Sequence, residues 1–148
     1  MKLILIRHGE SARNRGLIDE ENNLTAKGVQ QAIAIGAKLA PMKISAIYCS
    51  QTPRCEQTMD EILRIRDDNF PIHFTSLVGP KLKKENYEKL KSRMELFLDD
   101  LKYDHEDNET VVMISHQLPI SMALFLTQGK QNKLENGEII KIDVTRNK

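Results

Sequence analysis

The sequence predicts an α/β domain: a three-layer αβα sandwich with a mainly parallel central sheet and helices on both faces. Short apolar runs alternate along the chain with stretches of helical periodicity, the order that builds parallel sheets. Two of the runs, Leu3-Ile4-Leu5-Ile6 and Val111-Val112-Met113-Ile114, are unbroken and rich in β-branched residues, as strands covered on both faces are. No repeat, low-complexity tract or Gly/Ser-rich linker divides the chain. With 148 residues and 40% apolar content it suffices for one core, so a single domain over residues 1–148 is expected.

The elements follow in order. Leu3 to Ile6 is the first central strand, and Val111 to Ile114 is expected beside it. Thr25 is a good N-cap for a first helix whose inward face is read as Val29, Ala32, Ile33, Gly36 and Leu39, ending before Pro41. Ile44 to Cys49 reads as a strand. A second helix opens near Thr52-Pro53, where proline loses nothing because the N–H of the first turn has no partner. Ile72 to Ser76 is a short strand. Between Glu85 and Lys102, Tyr87, Leu90, Met94, Phe97, Leu98 and Leu101 recur at helical spacing. A fourth helix runs from about Leu118-Pro119 to just before Gly129. Finally Ile140, Ile142 and Val144 alternate with polar residues, which places a half-exposed strand near a sheet edge.

Charge narrows the function. Charged residues make up 29% of the chain, yet 22 basic against 21 acidic side chains leave a formal charge of +1. No global field would gather nucleic acid or anionic lipid, so neither is an expected partner. Any anion site must be local. The apolar run at the N-terminus is cut at once by Arg7 and His8, too soon for a signal peptide or a membrane span, and a cytoplasmic protein is expected. Cys49 and Cys55 do not form a Cys-x-x-Cys unit. They read as two small semi-buried side chains beside the site, without a disulfide, or else as a redox-sensitive thiol.

Chemistry gathers where two strands end. The first runs into Arg7-His8-Gly9-Glu10-Ser11 and the fourth into Ser115-His116-Gln117. In an open α/β sheet, ligands bind in the crevice beyond the strand C-termini, so neighbouring central strands would bring His8 and His116 to one place. Arg7 adds a permanent cation and Gly9 permits a sharp turn beside a ligand. Arg54 adds a second cation in the first turn of a helix, where the dipole already favours anions. A phosphate-sized anion fits this set. His73, in a short strand, and His105, in the polar connector from Asp104 to Glu109, read as ordinary surface or edge residues. Arg13 and Arg15 could guide an anionic substrate or simply be solvated.

The motif Arg7-His8-Gly9-Glu10-Ser11, with Asn14 three positions on, resembles the Arg-His-Gly-x-Ser/Thr-x-x-Asn signature of the histidine phosphatase superfamily, also called phosphoglycerate mutase-like. Three further stretches agree in order: Leu24-Thr25 with Gly28 and Gln31-Ala32; Ser50 with Arg54, Gln57 and Thr58; and Ser115-His116. The resemblance implies a phosphatase in which His8, held in one tautomer, attacks phosphorus and becomes phosphorylated. Arg7, Arg54 and a protonated His116 would hold the equatorial oxygens, Asn14 would add a neutral hydrogen bond, and water would cleave the phosphohistidine. No cofactor or metal is implied, since three cationic side chains take the place of magnesium.

The chain departs from the family where an acid should protonate the leaving group. Relatives that cleave alkyl phosphates carry a carboxylic acid after the third strand, often in Leu-x-Glu; here the stretch reads Leu77-Val78-Gly79. A second branch has Asp after the second histidine; here it is Gln117. Glu85 and Glu10 are the remaining candidates for the acid, though Glu85 reads first as a helix-start carboxylate. An alkoxide has a conjugate acid of pKa roughly 15, whereas protonated imidazole has one of about 6.5. Together with a chain too short for lid-like insertions, this directs the reading toward the short phosphohistidine phosphatases, with a phosphorylated substrate such as a phosphohistidine protein. The alternatives are a small-molecule phosphomonoesterase using Glu85 or Glu10, and a phospholigand-binding module without turnover.

Overall fold

The computed structural model describes residues 1–145. Five strands, β1 (Lys2–Arg7), β2 (Ala46–Cys49), β3 (Ile72–Phe74), β4 (Thr110–Ser115) and β5 (Ile139–Asp143), form one sheet in the order β3-β2-β4-β1-β5. The first four are parallel; β5 runs antiparallel along β1 at one edge. Parallel neighbours need a crossover, and helices supply it. These are α1 (Ala26–Leu39), α2 (Pro53–Arg64), α3 (Tyr87–Asp104) and α4 (Gln117–Gln128).

The side-chain period of two sorts the central strands between two cores. Leu3, Leu5, Val111 and Met113 pack with Leu90, Met94 and Phe97 of α3 and Ile120 and Leu124 of α4. Ile4, Ile6, Val112 and Ile114 pack on the opposite face with Ile35 and Leu39 of α1 and Met59 and Ile62 of α2. These eight strand residues are at most 1% exposed, and burying each contributes about 1.5–3 kcal/mol. The expected αβα layering is therefore set by β1 and β4, which pair in register from Lys2 with Thr110 to Arg7 with Ser115.

Two helix faces differ from expectation. In α1 the buried positions are Gly28, Ala32, Ile35, Gly36 and Leu39, while Ile33 is 43% exposed. The buried stripe follows the helical period through Ala32, Ile35, Gly36 and Leu39, which puts Ile35 inside in place of the expected Ile33. A Cβ on Gly36 would stand 3.2 Å from the Ile62 Cα, so the missing side chain is what lets α1 approach α2. In α3, Asn86 caps the helix and Tyr87 is 61% exposed instead of joining the core. Its ring carries the Lys81 ammonium at 5.3 Å.

His105 also departs from its surface reading. It is buried, with Nε2 2.8 Å from the Tyr48 hydroxyl and Nδ1 2.7 Å from Glu109 Oε2. These partners compensate the burial of its polar ring. His73 lies on the exposed edge strand β3 and stacks on Tyr48 at 4.7 Å. No described helix is long and apolar enough to cross a membrane.

Candidate active site

β1 and β4 are adjacent and parallel, so their C-termini deliver successive residues to the same end of the sheet. His8 follows β1 and His116 follows β4, and their rings meet edge to face with centroids 5.2 Å apart. Both are buried. Arg54, in the first turn of α2 after β2, comes from the next strand over, and its Nη2 is 3.2 Å from His116 Nδ1. Together with Arg7 and Asn14 these side chains line one crevice of about 300 Å³.

The tautomers follow from the partners. His8 Nδ1 is 2.7 Å from the Gly9 carbonyl oxygen, which can only accept, so Nδ1 carries the proton and Nε2 keeps its lone pair. Burial, with Arg54 and Arg7 nearby, lowers the His8 pKa to about 4 against the opposing Gly9 bond, so the ring is neutral at neutral pH. At His116 the guanidinium of Arg54 can only donate. Nδ1 therefore accepts, and Nε2–H donates to Ser50 Oγ at 2.8 Å. Burial first, then Arg54, His8 and Arg7, depress its pKa strongly. The ring is also the N-cap of α4, the positive end of the helix dipole. Protonated His116, the form in which it would count as a cation, is thus disfavoured until an anion shares the crevice.

Arg7 is half-buried. Its Nη1 donates to the Leu134 carbonyl at 2.7 Å, while its Nε is buried with no hydrogen-bond partner in the protein. Such an orphan donor costs about 1–3 kcal/mol. Asn14 Oδ1 accepts from the Ser11 backbone N–H and hydroxyl and from Asn136 Nδ2 at 3.2 Å, which holds the amide at the crevice rim. Arg13 also lines the crevice. Its backbone N–H donates to Asn22 Oδ1, and Asn22 adopts a φ of 53°, a conformation asparagine tolerates. Arg15 instead turns back to Glu10 at 3.7 Å.

Gly9 fixes the turn after His8. Its N–H donates to Thr58 Oγ1, whose hydroxyl donates to the Arg54 carbonyl, so one threonine ties the His8 loop to the α2 turn that carries Arg54. Gly9 and Gly28 pack backbone against backbone, and a Cβ on either would collide with main-chain atoms. Both cysteines are buried on the α1 and α2 side. Burial raises both thiol pKa values, that of Cys55 to about 11, so neither is a thiolate at neutral pH.

The two carboxylates raised as acids stand elsewhere. Glu85 takes two hydrogen bonds from Arg93, at 2.8 and 2.9 Å, which with the Leu82 N–H hold its pKa below the ordinary value and keep it ionised. Glu10 accepts from the Thr25 hydroxyl at 2.8 Å and pairs with Arg15 and Lys27. Neither lines the crevice, and no described residue that lines it carries a carboxyl group; Lys81 and Gln117 are among those that do line it. Arg93 was not singled out in the sequence. It donates to the carbonyls of Leu77 and Gly79 at 2.8 and 2.9 Å and so braces the loop that brings Pro80 and Lys81 to the crevice. An arginine within a charged helix gives no signal of this.

Residues 3–76 match the model of the histidine phosphatase superfamily, branch 1. A probable phosphatase of Schizosaccharomyces pombe is 36% identical over 85 residues, 55% of this chain and 40% of the relative, so the match spans less than half the length of that protein. Among solved structures, the phosphoglycerate mutase of Bacillus anthracis str. Sterne superposes with a TM-score of 0.82 at 16% identity, over 95% of this chain and 86% of that one. The protein histidine phosphatase SixA, solved with tungstate, gives 0.74 at 18% identity over the same shares. At such identities the likeness is one of fold. The matched segment includes the His8 loop and the turn bearing Arg54, and on it the chain belongs to the histidine phosphatase superfamily.

Proposed function

We propose that this chain is a phosphatase that forms a phosphohistidine at His8, and that its substrate is phosphohistidine in proteins. Neutral His8 presents Nε2 to phosphorus. As the new P–N bond forms, the bond to the leaving group breaks and takes its electron pair outward. Arg7, Arg54 and the Asn14 amide stabilise the equatorial oxygens, where charge accumulates. The arriving dianion offsets the repulsion that keeps His116 neutral, so His116 takes up a proton on Nδ1 and becomes the third cationic ligand. Water then attacks phosphorus, releases His8 and forms inorganic phosphate. The three cations take the part that magnesium plays in other phosphoryl transfers.

The observation that carries the substrate assignment is a crevice in which four described lining residues are Arg or Lys and none carries a carboxylic acid. An alkoxide leaving group, with a conjugate acid of pKa roughly 15, requires a proton donor there. A substrate imidazole protonated on its other ring nitrogen does not, because it departs as the neutral ring, whose conjugate acid has a pKa of about 6.5. Transfer from a substrate histidine to His8 exchanges chemically similar P–N bonds and so runs close to thermoneutral. A small-molecule phosphomonoesterase would need Glu85 or Glu10, and both are paired away from the crevice. A binding module would have no use for a neutral imidazole with its lone pair free.

The test compares phosphoimidazole with alkyl and aryl phosphates of graded leaving-group pKa. The expected result is efficient cleavage of phosphoimidazole and a steep fall in kcat/KM as the leaving group becomes more basic. Efficient cleavage of sugar phosphates with phosphoimidazole left intact would overturn the reading.

A further inference from the structure

A second concavity adjoins the crevice and takes no part in the chemistry above. It lies between the start of α3 and the exposed side of α4, with a volume of about 740 Å³. Leu118, Met122 and Phe125 lie at i, i+4 and i+7 and so share one face of α4. Tyr87 joins them from α3. Leu118 and Phe125 are 39% and 44% exposed, unusual for large apolar residues grouped together. Gln117 and Leu118 line both this groove and the crevice, so the two are continuous.

The charge along the groove has one dominant sign. Lys91 and Lys133 line it against a single acid, Glu88. Lys81, which lines the crevice, stands over the Tyr87 ring at the junction. We infer that this groove docks one face of an amphipathic helix from an acidic protein, which thereby presents its phosphohistidine to His8. The inference rests on the phosphatase reading above and extends it to the partner. Seven residues of α4 span about 10 Å, two turns of an opposing helix, which would set apolar anchors at i, i+3 or i+4, and i+7 along the floor. Its acidic flanks would meet the lysines. The crevice alone has room for a phosphoryl group and an imidazole, so a small leaving group would leave the larger apolar groove uncovered.

The test uses three phosphorylated probes. One is a synthetic helical peptide with a leucine stripe, flanking glutamates and a terminal phosphohistidine; the second replaces the glutamates by lysines; the third is phosphoimidazole. The glutamate peptide should show a kcat/KM at least about tenfold above the other two. Phe125→Ser, and Lys91→Glu combined with Lys133→Glu, should remove that advantage while leaving phosphoimidazole turnover unchanged, which also shows that the variants fold. Equal kcat/KM for both peptides and phosphoimidazole would overturn the docking alone. So would an aryl phosphate as sensitive to Phe125→Ser as the peptide, since the groove would then hold a small aromatic group. Failure of the wild-type protein to cleave phosphoimidazole would overturn the reaction itself, and the docking with it.

Discussion

Glu85 and Arg93 face each other across two hydrogen bonds of 2.8 and 2.9 Å, and this pair supports the wall of the crevice without entering it. The carboxylate orients the guanidinium, and the guanidinium gathers the carbonyls of Leu77 and Gly79. Glu85→Gln should therefore cost about 1–2 kcal/mol of stability and change kcat on an aryl phosphate less than twofold or so. Urea unfolding and steady-state kinetics check this. A large loss confined to alkyl phosphates would instead identify Glu85 as a proton donor.

The acid limb of the pH profile should belong to His8. Protonated His8 cannot attack, so the loss of kcat/KM at acid pH, corrected for substrate ionisation, should have its midpoint near 4. The same shift links to stability. With a folded pKa near 4 and an unfolded value of about 6.5, the unfolded chain binds more protons between those limits. Stability is therefore lost as pH falls through that window, by up to about 3 kcal/mol for this one ring. Denaturant unfolding at several pH values should show a shallower slope for His8→Gln than for the wild type.

Removing the nucleophile and removing a charge should give different signatures. His8→Ala should abolish turnover while leaving the fold intact, and no phosphoenzyme should be trapped under acid-free quenching. Arg54→Ala should lower kcat about a hundredfold to a thousandfold, because its charge acts on the transferring group. It should also raise the pKa of His116, since Arg54 is the largest charge that depresses it. NMR titration of the His116 ring reads that shift directly.

Gly28→Ala tests the backbone contact beneath the nucleophile. The new methyl group would collide with the Glu10 main chain, which cannot yield without moving the His8 loop. The expected outcome is a loss of at least about 2 kcal/mol in stability and of most activity. Gly16→Ala, where no atom lies near the added carbon, would be strained only by its φ of 72° and should leave turnover nearly unchanged.

Much of this arrangement could be read from the sequence because the signals are local. The unbroken apolar runs at Leu3 and Val111 mark buried strands, and Arg7, His8, Arg54 and His116 follow strand ends where ligands bind. What could not be read depends on partners far along the chain. His105 sits in a polar connector, yet Tyr48, 57 positions away, gives it a reason to be buried. Arg93 reads as one charge among many in α3 until the carbonyls it collects are seen. On α1, Ile33 and Ile35 have the same hydropathy, and only the packing against α2 shows that Ile35 is the one turned inward. The charge state of His116 depends on Arg54 and on burial, and neither is visible in its own neighbourhood.

The registry of Arg7 with Ser115 has a consequence for how such a site can change. Two adjacent parallel strands stand about 4.8 Å apart, so the spacing between the two imidazoles is inherited from main-chain geometry. The sheet acts as a fixed gauge, indifferent to substitutions on the surface. Variation in the crevice must then come from the loop after β3 and from the outer side of α4, while the distance between the two rings stays the same.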